Sequence, residues 1–384
     1  MQQLAYRLSL RRNLTYETDH IEIDTAIIRE NLRRIKDSLP EWSTSTAVIK
    51  ANGYGHGSVM VGRIAVEEGY ESLAVAFPEE ALPLRAAGIM VPIYLLGITL
   101  PQSFDLIVEG NSRPAICEST DLAALEACAA RHDTIIECCI AVDTGMHRIG
   151  IHPDHALDFM QKVEAYPHLH VDGFFSHMAS ADAADKTSAH QQTALFRNMV
   201  EMIRAHRSEP FRFSLANSAG LLSVKDSLFT DARPGIIQYG IMPSLDVPNR
   251  LGLRPALSMY SKVVHVQHLK AGERIGYGGT YTTDRLTTVA TVPVGYADGY
   301  PRSLSNRGSV LIHGRRCPIV GRVCMDQLMV AMPEGVPVHP GDEVVLIGTQ
   351  GDESITVLEI ATLVGTIPYE IFCDFSERVP RIYI

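Results

Sequence analysis

Short apolar and β-branched runs alternate with amphipathic segments from about residue 20 to residue 250. The runs predict about eight strands, at 46–50, 73–77, 93–96, 114–117, 136–142, 171–177, 212–217 and 228–233. Between them, Ile28, Leu32 and Ile35 share one face of a helix that Asp24 can cap. Leu195, Met199 and Met202 repeat this spacing within 187–206. Eight strand–helix units favour an α/β fold with an N-terminal (β/α)8 TIM-type barrel, and a doubly wound open sheet is the alternative.

After about residue 253 the helical period disappears and turn signals such as Pro340-Gly341 become frequent. Strands are predicted there at 262–269, 287–294, 309–313, 327–332 and 343–347. We therefore expect a barrel over 15–252 and a mostly β C-terminal domain over 253–384, joined by residues 1–14. Arg7, Arg11 and Arg12 fit an extra strand or arm better than a transit peptide.

Composition narrows the partners of this chain. The 384 residues contain 34 Lys and Arg against 44 Asp and Glu, a net charge of −10, which argues against nucleic-acid binding. The longest apolar stretch, near 90–100, is interrupted by Pro92 and Gly97 and is too short to span a membrane. Seven cysteines without regular spacing argue against a disulfide framework. We expect a cytoplasmic protein with neither a nucleic-acid nor a membrane partner.

The sharpest chemical signal is Lys50, which follows an apolar strand and precedes Gly53, Gly55 and Gly57. Glycines allow the backbone to turn tightly beside a ligand. An amine at the mouth of an apolar strand is desolvated, which favours its neutral form and makes it a good Schiff-base nucleophile. Taken alone, the pattern fits better a lysine that reaches solvent from a strand end, followed by an ordinary glycine loop.

Other strand ends add to this signal. Arg148 follows the fifth predicted strand and can clamp a carboxylate, and His177 ends the sixth. Ser218 and Arg233 lie at the seventh and eighth, each followed by a glycine-containing turn of the kind that binds phosphate in barrels. Singly, these residues fit a core histidine, a helix cap or a surface ion pair. Together they indicate a site at the strand ends.

Metal binding is not predicted. The sequence contains neither a His-Glu-x-x-His nor a Cys-x-x-Cys motif, and the histidines are scattered. The C-terminal domain instead contributes three glycine-rich runs with polar or aromatic residues, 274–281, 295–300 and 321–327. A tyrosine in such a run is usually a turn residue, but a phenol can also transfer protons.

The runs 50–57, 143–148, 277–281, 295–300 and 324–327, together with Arg233, resemble those of alanine racemases. The resemblance covers about 20–384. It implies a barrel that binds pyridoxal 5'-phosphate and a homodimer with shared active sites. It also implies interconversion of L-alanine and D-alanine, a small amino-acid substrate, through an external aldimine, supplying D-alanine for peptidoglycan.

The same resemblance implies roles for individual residues. Lys50 would hold the cofactor and act as the base on one face of the substrate, and Tyr277 of the other subunit would act on the opposite face. Arg233 would bond the pyridine nitrogen, with His177 between Arg233 and Tyr277. The phosphate would be bound by Tyr54, Ser218, Gly235, Ile236 and Tyr369. The substrate carboxylate would be held by Arg148 and the backbone of Met325, and the supporting residues would be Cys324, Asp326 and Tyr296.

Two positions depart from the family pattern. Ala141 occupies a position where some members carry a carbamylated lysine that orients the carboxylate-binding arginine, so Arg148 must be positioned otherwise. Gly53 occupies a position where many members of the family have alanine.

Three alternative functions stay open: a racemase of broader specificity or for serine, a decarboxylase of the same architecture, and a barrel that binds the cofactor without catalysis. A C-terminal domain that carries Tyr277 argues against the last.

Overall fold

A computed structural model of the chain describes residues 18–384, so Arg7, Arg11, Arg12 and the proposed arm 1–14 lie outside the described residues. The chain divides into two compact units. One is Thr25–Ala256, and the other contains Leu257–Ile384 together with the described residues up to Asp24. The expected limits, 15 and 252, differ from these because the strand His20–Ile23 pairs with Leu257–Lys262 in the second unit.

The first unit contains a closed barrel of eight parallel strands. In order around the barrel they are Thr44–Val48, Ser72–Val75, Ile93–Ile98, Ser112–Ile116, Ile136–Ala141, Leu169–Phe175, Arg212–Ser214 and Asp231–Ala232. The first strand pairs with both the second and the eighth, which closes the sheet. The predicted TIM-type barrel is therefore confirmed, and the open doubly wound sheet is wrong.

Helices surround the barrel because each strand needs a crossover back to the same edge. They span Thr25–Asp37, Ser58–Glu67, Pro78–Ala86, Phe104–Glu109, Leu122–Arg131, Ala156–Glu164, Thr187–His206 and Ser218–Ser223, with a further short segment at Lys50–Tyr54. The first begins directly after Asp24 and buries Ile28, Leu32 and Ile35, as predicted. In Thr187–His206 the predicted face is offset: Leu195 is 41% exposed, and Phe196 is buried instead.

The second unit is built mainly from antiparallel strands. The largest sheet has the order Arg315–Pro318, Ser309–Ile312, Glu343–Gln350, Leu257–Lys262, His20–Ile23 and Arg381–Tyr383, and Glu353–Ile355 pairs with Glu343–Gln350. A three-stranded sheet contains His265–Leu269, Thr287–Val292 and Leu328–Ala331, and a small hairpin contains Arg274–Ile275 and Tyr281–Thr282.

The loss of helical character predicted after residue 253 is wrong for one stretch of this unit. Helices span Val357–Val364 and Pro368–Asp374. Thr356 caps the first, accepting the Glu359 N–H at 3.0 Å, and Gly365 ends it with a left-handed conformation. Among residues 18–384, no helix has the length and apolar character needed to cross a membrane.

Candidate active site

Lys50 lies two residues beyond the first barrel strand and opens a turn with an unusual backbone. Ala51, Asn52, Gly53 and Tyr54 have φ values of 51°, 51°, 63° and 52°, so the chain makes a left-handed turn. Residues with a Cβ disfavour this conformation by about 1–2 kcal/mol each. Strain of this kind persists where surrounding contacts enforce it, and such places are frequently functional.

Two side chains enforce the turn. Glu80 accepts the Ala51 N–H at 2.6 Å through one carboxylate oxygen and the Ala76 N–H at 2.7 Å through the other. Asn52 accepts the Ser58 N–H at 3.0 Å. Glu80 therefore ties the residue after Lys50 to the end of the second strand. Sequence reasoning assigned the turn to its glycines and missed both contacts.

Arg233 follows the eighth strand and is only 5% exposed. Its Nη2 donates to the Ser176 carbonyl oxygen at 2.5 Å. Nη1 is buried and finds no hydrogen-bond acceptor within the described residues. Burial lowers the pKa of Arg233 to about 10, with Asp231 opposing the change, so the guanidinium is charged at neutral pH. A buried charged donor without an acceptor is costly, and an acceptor such as a ring nitrogen would satisfy it.

His177 follows the sixth strand and is partly buried. Burial, reinforced by the positive charges of Arg233, Arg148 and Lys50, lowers the pKa of His177 to about 3. The imidazole is therefore neutral at physiological pH. The three cations act on one side chain, so residues that follow the first, fifth, sixth and eighth strands lie near one another.

Tyr54, Ser218 and Gly235 also come together. The Gly235 N–H donates to Ser218 Oγ at 2.8 Å. A Cβ placed on Gly235 would lie 2.6 Å from the Tyr54 hydroxyl oxygen. Ile236 follows in a short turn, Ile236–Tyr239. Two hydroxyls and backbone without a side chain form a surface suited to phosphate oxygens.

Arg148 is exposed at the end of a loop that Asp143 organises. Asp143 accepts the backbone N–H groups of Gly145 at 2.9 Å and His147 at 3.0 Å. Ala141 is buried at the end of the fifth strand, and the small cavity beside it is lined in part by Arg148 and His177. The position thus supplies no group that could orient Arg148.

A buried glutamine connects this loop to the next one. Gln192 donates to Thr144 Oγ1 at 3.1 Å and to the His177 carbonyl at 2.9 Å, and it accepts the Ala179 N–H at 2.8 Å. Thr144 also bonds Ser176 at 2.8 Å. Gln192 therefore links the loops that carry Arg148 and His177. Sequence reasoning missed it, since a glutamine within a helix carries no motif.

The remaining predicted residues belong to the second unit. Tyr277 is 72% exposed in the hairpin loop between Arg274–Ile275 and Tyr281–Thr282. Arg274 braces this loop by donating to the carbonyls of Gly278 at 2.8 Å and Gly279 at 3.1 Å. The phenol is thus presented to solvent on a supported turn.

Two loops of this unit hold Met325 and Tyr296, both exposed, side by side. The Tyr296 N–H donates to the Cys324 carbonyl at 3.1 Å, and the Ala297 N–H donates to the Met325 carbonyl at 3.0 Å. A Cβ on Gly295 would lie 2.2 Å from the Met325 carbonyl oxygen, so glycine permits this approach.

The other predicted residues of this unit are Asp326, Cys324 and Tyr369. Asp326 pairs with Arg378 at 2.9 Å. Burial raises the pKa of Cys324, so this residue is a thiol and not an activated thiolate. Tyr369 lies part-buried in the helix Pro368–Asp374.

Possible metal ligands come together at one place in the described part of the chain. Ligand atoms of Asp105, Cys128 and His132 lie within 4.8 Å of one another, and Arg131 already pairs with the Asp105 carboxylate. The absence of a metal stays a prediction.

Comparisons of this chain with family models, with curated proteins and with solved structures all point to one family. Residues 23–243 match the family model for the alanine racemase N-terminal domain, and residues 256–383 match that for the C-terminal domain. The alanine racemase of Halothermothrix orenii is 41% identical over 94% of this chain and 96% of its own. The alanine racemase structure from Clostridium difficile 630 has a TM-score of 0.90 at 34% identity, covering 97% of both chains. That from Bartonella henselae, with covalently bound pyridoxal phosphate, has a TM-score of 0.85 at 28% identity, covering 96% and 99%.

An eight-stranded barrel with charged groups converging at its strand ends, followed by a β domain, defines a two-domain barrel enzyme. The chain belongs to the alanine racemase family, an isomerase family. The resemblance found in the sequence is thereby confirmed. A decarboxylase and a non-catalytic barrel are disfavoured, because the match extends over both domains of the racemase family.

Proposed function

We propose that this enzyme interconverts L-alanine and D-alanine with pyridoxal 5'-phosphate as cofactor, in the cytoplasm, and supplies D-alanine for peptidoglycan. The observation that carries the proposal is the convergence of Lys50, His177 and Arg233 at the barrel strand ends. It is supported by the buried Nη1 of Arg233, for which the described residues provide no acceptor.

The side chains present fit this cofactor. Lys50 would provide the amine that holds it, Arg233 would donate to its ring nitrogen, and Tyr54, Ser218 and the Gly235 backbone would bind its phosphate. Ile236 and Tyr369 would complete the phosphate site. When bound, pyridoxal phosphate makes the Cα–H bond of an amino acid acidic. Arginine has donors and no acceptor, so Arg233 would leave the ring nitrogen unprotonated, which limits side reactions.

Racemisation requires that a proton leave one face of Cα and return on the other. We assign the two faces to the amine of Lys50 and the phenol of Tyr277. Neutral His177 would lie between Arg233 and Tyr277, where it can exchange hydrogen bonds without adding charge. Tyr277 is exposed on its own chain, so a second copy can receive it. We therefore propose a homodimer in which each site takes Lys50 from one subunit and Tyr277 from the other.

The substrate carboxylate would be held by the guanidinium of Arg148 and the backbone of Met325. Arginine suits this role because its planar donors match a carboxylate. Cys324, Asp326 and Tyr296 would support the Met325 loop, in line with the hydrogen bonds between 295–297 and 324–325. One methylene or hydroxyl changes selectivity by only about 1–3 kcal/mol, so serine is the natural competing substrate.

The test is an assay of purified protein with L-alanine and L-serine, with and without added pyridoxal phosphate. We expect D-alanine to form from L-alanine, dependent on cofactor, faster than D-serine forms from L-serine. Faster turnover of L-serine would identify a serine or broad-specificity racemase. Release of carbon dioxide without a D-amino acid would contradict the proposal.

A second experiment locates the cofactor. Reduction of the loaded enzyme with borohydride, followed by peptide mapping, should place the label on Lys50. The matched control is Lys225→Ala, which alters an exposed lysine of the same unit and should leave the label in place. A label on any other lysine would contradict the assignment.

A further inference from the structure

The barrel interior contains polar side chains where apolar packing is usual. Every strand contributes at least one, and eight of them are Thr46, Ser72, Tyr94, Arg113, Glu137, Asp172, Arg212 and Asp231. TIM barrels normally fill this space with branched apolar residues. A polar layer of this size requires every member to be paired, since unpaired buried groups are costly.

Five of these residues are charged and form a column of alternating sign, Glu137, Arg113, Asp172, Arg212 and Asp231, which we call the charge column. Arg113 pairs with Glu137 and also with Asp172, at 2.7 Å. Arg212 pairs with Asp231 at 2.5 Å. Side-chain exposure falls from 42% at Glu137 to 1% at Asp231, so the column runs from solvent into the barrel core.

Tyr94 joins the two pairs. Its hydroxyl donates to Asp172 at 2.5 Å and accepts from Arg113 at 2.8 Å. The guanidinium of Arg212 lies over its ring, 4.7 Å from the centroid. Burial raises the pKa of Tyr94, so the phenol stays neutral and carries hydrogen bonds without adding a charge.

Asp231 ends the column with its oxygens fully engaged. Besides Arg212, it accepts from Ser214 Oγ at 2.6 Å and from Thr46 Oγ1 at 2.9 Å. Arg233 follows the eighth strand two residues after Asp231, and both residues line the same cavity inside the barrel. A cavity of about 10 Å³ lined by both leaves room for at most one water, so charges here are poorly screened.

The charges of the column do not cancel. Three carboxylates and two guanidinium groups leave one net negative charge (2 − 3 = −1). Arg233 is the next charged group along the chain, and within residues 18–384 it forms no ion pair with a carboxylate. Its single positive charge therefore equals the excess of the column.

We propose that the charge column is the counter-charge of Arg233, and that Asp231 is a positioning residue that keeps this guanidinium charged and aimed at the ring of the cofactor. The inference rests on the proposed function of Arg233. In agreement, burial is the main cause that lowers the pKa of Arg233, and Asp231 is the charge that most opposes it.

The competing explanation is that the column only stabilises the barrel, as residues at the N-terminal ends of strands commonly do. Charge balance and structural support predict different results when two members are removed together. Asp231→Asn leaves the column neutral and Arg233 uncompensated. Asp231→Asn with Arg212→Met restores the single negative excess while removing still more hydrogen bonds.

The experiment titrates cofactor-free protein with pyridoxal phosphate and records the dissociation constant and the visible absorption maximum of the bound cofactor. For Asp231→Asn we expect affinity to fall by about tenfold or more, equivalent to about 1.4 kcal/mol, with a shifted maximum. The double variant should recover to within about threefold of the unmodified protein and regain the maximum, because its charge balance is restored.

Two further variants remove a negative charge at greater distances from Arg233. They also keep the test decisive if Asp231→Asn folds poorly. Asp172→Asn removes the same charge from the middle of the column and should weaken affinity less than Asp231→Asn. Glu137→Gln removes it at the exposed end, where solvent screens it, and should change affinity by less than about threefold. Melting temperatures of the cofactor-free proteins report folding separately.

Two outcomes would overturn the inference. One is an unchanged dissociation constant and spectrum in both Asp231→Asn and Asp172→Asn, with melting temperature alone reduced. The other is a double variant that binds more weakly than Asp231→Asn. If the unmodified protein fails to bind pyridoxal phosphate, the proposed function itself fails, and the two failures are thus distinguishable.

Discussion

Gly235 faces the hydroxyl of Tyr54 so closely that a Cβ atom at position 235 would lie 2.6 Å from its oxygen. The φ of Gly235 is −123°, outside the left-handed region that favours glycine. A side chain at this position would instead meet the Tyr54 hydroxyl. Ser218, bonded to the Gly235 N–H at 2.8 Å, borders the same space.

Gly235→Ala should weaken cofactor binding by about tenfold or more, because the methyl group displaces Tyr54 from the proposed phosphate site. The measurement is a titration of cofactor-free protein with pyridoxal phosphate. Gly308→Ala is the control, since a Cβ there meets only side chains of Ile319 and Leu304, at 3.1 Å, in the other unit. Equal affinities of the two variants for pyridoxal phosphate would contradict a phosphate site at Gly235.

The barrel could be predicted from the sequence because its strands are short apolar runs separated by amphipathic helices. The predicted ends of the strands differ from the observed ones by a few residues. The strand Arg212–Ser214, for example, was predicted to extend to residue 217. Helix Val357–Val364 was missed, although Thr356 and Gly365 provide both caps. Its residues are apolar around most of the helix, and this hides the helical period.

The site could be predicted only where a motif marks it. Lys50 and Arg233 each precede a glycine by two or three residues, and the glycine marks a turn. Glu80, Gln192 and Asp231 act through partners such as Ala51, Thr144 and Ser214, which lie 29, 48 and 17 positions away in the chain. No local pattern reveals a contact of that kind, because the barrel closure brings the partners together.

Tyr277→Phe should slow proton transfer on one face of the substrate far more than on the other, by about 10²–10⁴-fold if the phenol is a general acid–base group. Exchange of the Cα proton with deuterium from solvent, started from each enantiomer separately, measures this. Tyr281→Phe, in the same hairpin, is the control. Equal losses from both enantiomers would contradict the division of the two faces between Lys50 and Tyr277.

Lys50→Ala and Tyr277→Ala proteins should each be inactive and should regain activity when mixed. In a two-fold symmetric dimer, each mixed pair contains one site with both bases intact, so random exchange restores about one quarter of the sites. Racemase activity after mixing measures this, with subunit exchange verified by mass. Verified exchange without recovery would show that each site is built from one chain.

Gln192→Leu should destabilise the protein by about 1–3 kcal/mol, because it removes the hydrogen bonds of a buried amide and leaves the Ala179 N–H and the His177 carbonyl without their partner. It should also raise KM for alanine more than it lowers kcat, since Gln192 links the loop of Arg148 to the loop of His177. Gln191→Leu, at the exposed neighbouring position, is the matched control. Chemical denaturation and steady-state kinetics measure the two effects, and a variant with altered stability but normal KM would contradict the positioning role.

The depressed pKa of His177 makes a prediction about acid stability. In the folded protein this pKa is about 3, whereas the unfolded chain has the ordinary value of about 6.5. Between these values the unfolded state binds the proton and the folded state does not, so stability falls as pH is lowered from about 6.5 towards 3. The slope from this group is at most about 1.4 kcal/mol per pH unit.

His177→Gln removes the titrating ring, so the free energy of unfolding of the cofactor-free variant should decline less between pH 7 and pH 5 than that of the unmodified protein. Urea denaturation at both pH values measures the difference, and all other titrating groups contribute equally to the two proteins. His206→Gln, at an exposed helix end in the same unit, is the matched control for the loss of a histidine. Parallel pH dependence in His177→Gln and the unmodified protein would mean that His177 accepts a proton in the folded state, and that the cations Lys50, Arg148 and Arg233 do not act on it together.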